Sequence, residues 1–250
     1  MEKVSSEFIA VVDRNDTTVP SLASHLSDSE RSLLIKTARD ALDTNGLPLV
    51  PIVAGTGAGS ARETIRLCCE ARDAGADYVI VISPGYFAST IGCNKAALKG
   101  FYLSVLDNSR KQSLFHCLAA CLEFTITALP VMIYNFPGAS AGIDLDSNLL
   151  IELSEHQNCF GAKVRELFPA RGLWLTPNYV VLQLTCAMIG KGHRLSAHTL
   201  SEDYKARHRL PFFVLPGYSD ILLPALVSRA TGCITGTGAY LDPCILSSKI

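Results

Sequence analysis

Short apolar runs, each bounded by proline, glycine or a charge, alternate with longer stretches of helical period. This alternation constrains the fold more than any other feature of the chain. Leu49 to Gly55 (LVPIVAG) is apolar throughout, as a strand buried on both faces must be. Ser60 to Ala74 then spaces Ile65, Cys68, Cys69 and Arg72 helically, with Ser60 as N-cap, Glu63 completing a capping box and Gly75 as the stop. Further strands are expected at 78–83, 129–135, 159–163, 211–215 and 232–236, and helices at 94–107, 146–155 and 219–229. Another helix begins near Leu26-Ser27-Asp28. Strands separated by helices imply a parallel α/β sheet.

The strand centres fall near residues 52, 80, 132, 161, 213 and 234. Two of the intervals are too long, and Arg110–Ala128 (19 residues) and Val164–Gln183 (20 residues) account for the excess. With those stretches set aside, a regular strand–helix period returns. The expected architecture is one domain over residues 1–250, a (β/α)8 TIM barrel. It is incomplete at the N-terminus, where the first strands are missing, and at the C-terminus, where the last helix is missing. Two insertions, near 110–128 and 164–183, read either as retained short introns or as surface loops. A doubly wound open sheet is the competing fold, because GTGAGS (55–60) follows a strand and opens a helix. That strand is not the first, however, and Asp77 begins its strand instead of ending it, so it cannot hold a ribose.

Composition narrows the function classes. Hydrophobic residues make up 48% of the 250 and charged residues 18%, enough to bury a core. Lys plus Arg is 22 against 23 Asp plus Glu, with no basic stripe, so nucleic acid is not an expected partner. No apolar run approaches a membrane span, and the N-terminal residues lack a secretory core. Nine cysteines, odd in number and without a C-x-x-C, read as reduced thiols of a cytoplasmic protein. His116, Cys117 and Cys121 are too few for a zinc site, and no metal is expected.

In a barrel the C-terminal ends of the strands face the site. Lys163 ends the apolar run Cys159-Phe160-Gly161-Ala162. Such surroundings disfavour an ammonium, and a neutral amine can form a Schiff base with a ketone. Tyr134 ends the preceding strand, within reach of that amine, and a phenol can carry protons to and from the reacting centre.

The segments VPIVAGTGAGSARETI, GADYVIVISPGYF, LPVMIYNFPG, FGAK and LPALVSRATGCITG occur in this order. Together they resemble the dihydrodipicolinate synthase / N-acetylneuraminate lyase family, pyruvate-dependent class I aldolases on a (β/α)8 barrel. The resemblance runs from about Ser24 to Pro243, outside the two insertions. It implies that Lys163 is the Schiff-base lysine and Tyr134 the proton-relaying tyrosine of a Y-N-x-P segment. It also implies that Tyr86 reaches a neighbouring subunit's site as a relay partner, and that Gly138 and Gly217 border the substrate. The implied function is reversible aldol cleavage of a 2-oxo acid with release of pyruvate, as from a 2-keto-3-deoxy sugar acid or a 4-hydroxy-2-oxo acid. No cofactor is implied, the partner is the small 2-oxo acid, and the assembly is a homodimer or homotetramer.

Two departures bear on activity. The family's carboxylate-binding G-[ST]-[TN]-G-E segment is matched by Thr18-Val19-Pro20-Ser21-Leu22. Weak turnover, or a catalytically impaired remnant of the family, is therefore the alternative expectation. Ala139 stands where dihydrodipicolinate-forming members place an arginine, which argues against that condensation.

Overall fold

The computed structural model describes residues 9–11, 26–109, 129–165, 189–208, 211–218 and 221–235. The strands are β1 (Ile9–Val11), β2 (Ile52–Gly55), β3 (Tyr78–Ile82), β4 (Val131–Asn135), β5 (Cys159–Val164) and β6 (Phe213–Pro216). The helices are α1 (Asp28–Thr44), α2 (Ala61–Asp73), α3 (Ala88–Ile91), α4 (Lys95–Asn108), α5 (Ser147–Ser154), α6 (residues 189–199), α7 (Glu202–Arg207) and α8 (Leu222–Val227). Every strand pairing is parallel, and spatial order equals chain order from β1 to β6. A doubly wound sheet reverses its order at a switch point, whereas here each new strand adds on the same side. A sheet wound in one direction is a stretch of barrel wall.

Two apolar layers flank this wall. The outer one joins outward-facing strand residues such as Ile52, Val79, Ile133 and Val164 to helix residues such as Ile35, Cys68, Leu98 and Leu150. The inner one consists, among the described residues, of Val53, Ile80, Ile82, Met132, Tyr134, Phe136, Phe160 and Leu215, with none of the described helices contributing. Both faces of the strands are therefore covered, which is why their sequences read as continuous apolar runs rather than as alternation.

Helix starts are fixed by side chains. Ser27, Ser60, Asn94, Asp146 and Ser201 each accept a backbone N–H at an N-cap, worth about 1 kcal/mol apiece. The capping box expected at Ser60 is only half made. Ser60 Oγ accepts from Glu63 N, but the Glu63 carboxylate turns to Arg66. The complete box is at Ser27 and Glu30.

The structure corrects three strand assignments. β1 pairs in parallel with β2, so one of the strands expected to be missing is present. Residues 232–235 form no strand ladder. Thr231 N and Ile234 N donate to Val214 O and Pro216 O, and the Thr231 hydroxyl occupies the Val214 amide, so the segment lies along β6 without pairing regularly. Val164, placed at the head of the second insertion, is instead the last residue of β5, paired with Asn135 on one side and Pro216 on the other. Residues 166–183 and the whole of 110–128 lie outside the described residues.

The first insertion nevertheless leaves a trace at its ends. Asn158 Nδ2 donates to Ser109 Oγ (2.7 Å) and to Leu129 O (3.3 Å), so one buried amide holds the residues on either side of it. The glycines of GTGAGS also find a use in packing. A Cβ on Gly57 would come within 2.6 Å of Ile82 Cγ2, so close approach of the β2 and β3 ends requires glycine there.

Candidate active site

β4 and β5 start in register with Val131 opposite Cys159, but Met132 then pairs with Gly161. β5 thus carries one extra residue, a β-bulge. A regular ladder from Val131 would set Ala162 opposite Tyr134. The bulge sets Lys163 there instead. Gly161 makes it feasible, because a Cβ at that position would lie 2.7 Å from Phe213 O and 3.1 Å from Met132 Cε.

Tyr134 and Lys163 are both buried, and Lys163 Nζ lies 4.2 Å from the centre of the Tyr134 ring. Removal from water disfavours the ammonium form of a lysine, while the ring face attracts it, by about 2 kcal/mol when desolvated. Cys233 belongs to the segment beside β6. Burial pushes its thiol up, against the opposing pull of the Lys163 charge.

One strand step above, the arrangement repeats. The Tyr134 ring stacks on Phe136 with centroids 5.7 Å apart and planes at 22°. The Arg165 guanidinium carbon lies 4.2 Å over the Phe136 ring and 4.5 Å over that of Tyr218. Arg165 is 1% exposed, and its backbone N donates to Asn135 O at 2.8 Å. The interior wall therefore presents two basic side chains in sequence, each lying on an aromatic ring. Among the described residues no group of three His, Cys, Asp or Glu could hold a metal ion.

Asn135 braces the loop that follows β4. Its Nδ2 donates to Asp144 Oδ1 at 2.8 Å and its Oδ1 accepts from Leu145 N at 2.9 Å. Lys191, on α6, donates to both Asp144 oxygens. Ser140 closes the loop on itself through Phe136 O and Ile143 O. Gly138 is exposed on this loop, and Ala139 packs against the inner layer.

The expected site residues divide into two sets. Lys163 and Tyr134 meet directly. Gly217 is buried beside Arg165, where a Cβ would come 3.0–3.1 Å from the arginine's Cβ, Cγ and Cδ. Tyr86 stands apart. It sits in a single helical turn (Gly85–Phe87), 84% exposed, its ring meeting that of Phe87 edge-on at 4.8 Å. Sequence reasoning missed Arg165, Phe136 and Cys233. Alternation from Lys163 along β5 was the signal for Arg165, since residues two apart share a strand face.

Residues 23–166 match the family model described as Dihydrodipicolinate synthetase family. A protein from Emericella nidulans described as probable 4-hydroxy-2-oxoglutarate aldolase, mitochondrial, is 35% identical over 86% of this chain and 54% of its own length. The L-threo-3-deoxy-hexylosonate aldolase of Aspergillus niger is 31% identical over 88% of this chain and 58% of its own. A solved dihydrodipicolinate synthase family protein from Coccidioides immitis superposes with a TM-score of 0.59 at 30% identity, over 87% of this chain and 52% of its own. The chain spans about half the length of the curated relatives it matches. The strand order, the inward lysine and the matched segment lead to one conclusion: this chain belongs to the dihydrodipicolinate synthetase family.

Proposed function

We propose that this protein is a class I aldolase that cleaves a 4-hydroxy-2-oxo acid, the substructure shared by 4-hydroxy-2-oxoglutarate and 2-keto-3-deoxy sugar acids, and releases pyruvate. The observation that carries this reading is the buried Tyr134–Lys163 pair facing across β4 and β5. The neutral Lys163 amine attacks C2, and Tyr134 gives its proton to the departing hydroxyl, so that water leaves and an iminium faces a phenolate. The C3–C4 bond then breaks, its electrons passing to the iminium, while the Tyr134 phenolate takes the proton of the C4 hydroxyl. The aldehyde departs, the enamine is protonated at C3, and hydrolysis frees pyruvate and the amine.

The names of the fungal relatives support this substrate class. Ala139 in place of an arginine disfavours a dihydrodipicolinate-type condensation. A homo-oligomer in which exposed Tyr86 meets a neighbouring copy, and a cytoplasmic location, complete the proposal. Free thiols at Cys68, Cys69, Cys93, Cys159 and Cys233 support a reducing compartment. The test is pyruvate release from 4-hydroxy-2-oxoglutarate, followed by coupled reduction to lactate. Release by the unaltered chain and none by Lys163→Ala is expected. Equal release by both would overturn the reading.

A further inference from the structure

A 2-oxo acid presents two groups to its enzyme, a carbonyl carbon and the carboxylate bonded to it. Lys163 accounts for the first. The segment that matches the family's carboxylate site reads Thr18-Val19-Pro20-Ser21-Leu22, which holds no cationic side chain, and Pro20 has no backbone N–H. The interior wall itself supplies a guanidinium, that of Arg165, two residues on from Lys163. We propose that Arg165 binds the carboxylate of the 2-oxo acid whose carbonyl Lys163 attacks. The inference rests on the aldolase reading for the identity of the ligand.

Three observations carry it. Lys163 and Arg165 are two residues apart on consecutive inward positions, so their Cα atoms stand about 6.6 Å apart along the strand. A carbonyl carbon about 3 Å from Nζ, a carboxylate carbon about 1.5 Å farther on and oxygens about 2.8 Å from guanidinium nitrogens fit between side chains so spaced. The guanidinium is also pre-set. Phe136 and Tyr218 hold it at 4.2 and 4.5 Å, and because Phe136 stacks on Tyr134, the ring under the arginine is fixed relative to the ring under the lysine. An arginine so held loses little freedom when it binds an anion. Finally, Gly217 leaves the space that the arginine stem occupies, so a position expected to border the substrate acts through Arg165.

A merely structural arginine, packed on its two rings, makes no distinction between charged and uncharged ketones. A binding arginine does. The test therefore titrates the full chain and its Arg165→Gln and Arg165→Lys variants with pyruvate and with methyl pyruvate, which keeps the ketone and removes the charge. Ligand-detected NMR reads binding, and borohydride trapping reads Schiff-base formation. Arg165→Gln should weaken pyruvate binding about ten- to a hundredfold, the effect of a lost charged hydrogen bond, and leave methyl pyruvate unchanged. Arg165→Lys should recover part of the loss. A parallel fall for both ketones, or no change for either, would overturn the assignment, as would failure of the unaltered chain to bind pyruvate. Lys163→Ala separates the two ideas. If that variant still binds pyruvate in an Arg165-dependent way and the unaltered chain traps no adduct, the carboxylate site stands and the aldolase reading falls.

Discussion

Lys163 stands opposite Tyr134 because β5 carries one residue more than β4 between Cys159 and Gly161. Without that bulge the apolar Ala162 would face the tyrosine, and the amine would pair with Asn135. A one-residue irregularity thus decides which side chain meets the phenol.

The bulge depends on glycine. Replacing Gly161 with alanine places a methyl 2.7 Å from Phe213 O, and backbone cannot give way as a flexible side chain can. Gly161→Ala should cost about 1–3 kcal/mol in stability and slow Schiff-base formation disproportionately, because the strand relieves the clash by moving Lys163. Thermal melts and trapping rates on one preparation check this. A variant equally stable and equally reactive would show that the register tolerates the change.

Tyr134→Phe keeps the ring beneath the amine and removes the hydroxyl. Stability should change little, borohydride trapping of pyruvate should persist, and steady-state cleavage should fall by about two to four powers of ten. Comparing single-turnover adduct formation with turnover separates ring from hydroxyl.

Asp146 links stability to pH. The Lys95 ammonium, followed by the Leu149 N–H, holds its carboxyl below the usual value of 3.8. A group depressed by folding stabilises the fold above its unfolded pKa, and that contribution is lost as pH falls through the lower folded value. Asp146→Ala should cost about 1 kcal/mol at pH 7, mostly through the lost N-cap. The Lys95 pair adds little, since the Asp146 side chain is 39% exposed. The gap between variant and parent should shrink below about pH 4, as melts across an acid series would record.

Asn158 joins the residues that flank the first insertion. A chain lacking 110–128, with Ser109 bonded to Leu129, should unfold cooperatively at or above the parent's melting temperature. Asn158→Ala should cost about 1–3 kcal/mol of stability in both backgrounds and lower both melting temperatures, because buried acceptors at Leu106, Ser109 and Leu129 lose a shared donor. Loss of folding on deletion would make 110–128 part of the barrel.

Much of this was legible in the residues. Apolar runs at 49–55, 78–83 and 129–135 announced the strands β2, β3 and β4, and Ser60, Asn94 and Asp146 marked helix starts where capping places them. Lys163 and Tyr134 stood out as polar groups ending buried runs. β1 did not stand out, because three apolar residues carry no period of their own. The bulge did not, because register lives in pairing rather than in one strand's sequence. Arg165 was hidden by the interval arithmetic that ended β5 at Lys163; its burial and its bond to Asn135 O restore it to the wall.

Everything functional in this account turns on a nucleophilic amine at residue 163. Reduction of the protein with borohydride in the presence of pyruvate, followed by peptide mass analysis, tests it most directly. The account predicts a reduced pyruvyl adduct on the peptide carrying Lys163, and none in Lys163→Ala. An adduct on another lysine, such as Lys95 or Lys191, or none at saturating pyruvate, would contradict it.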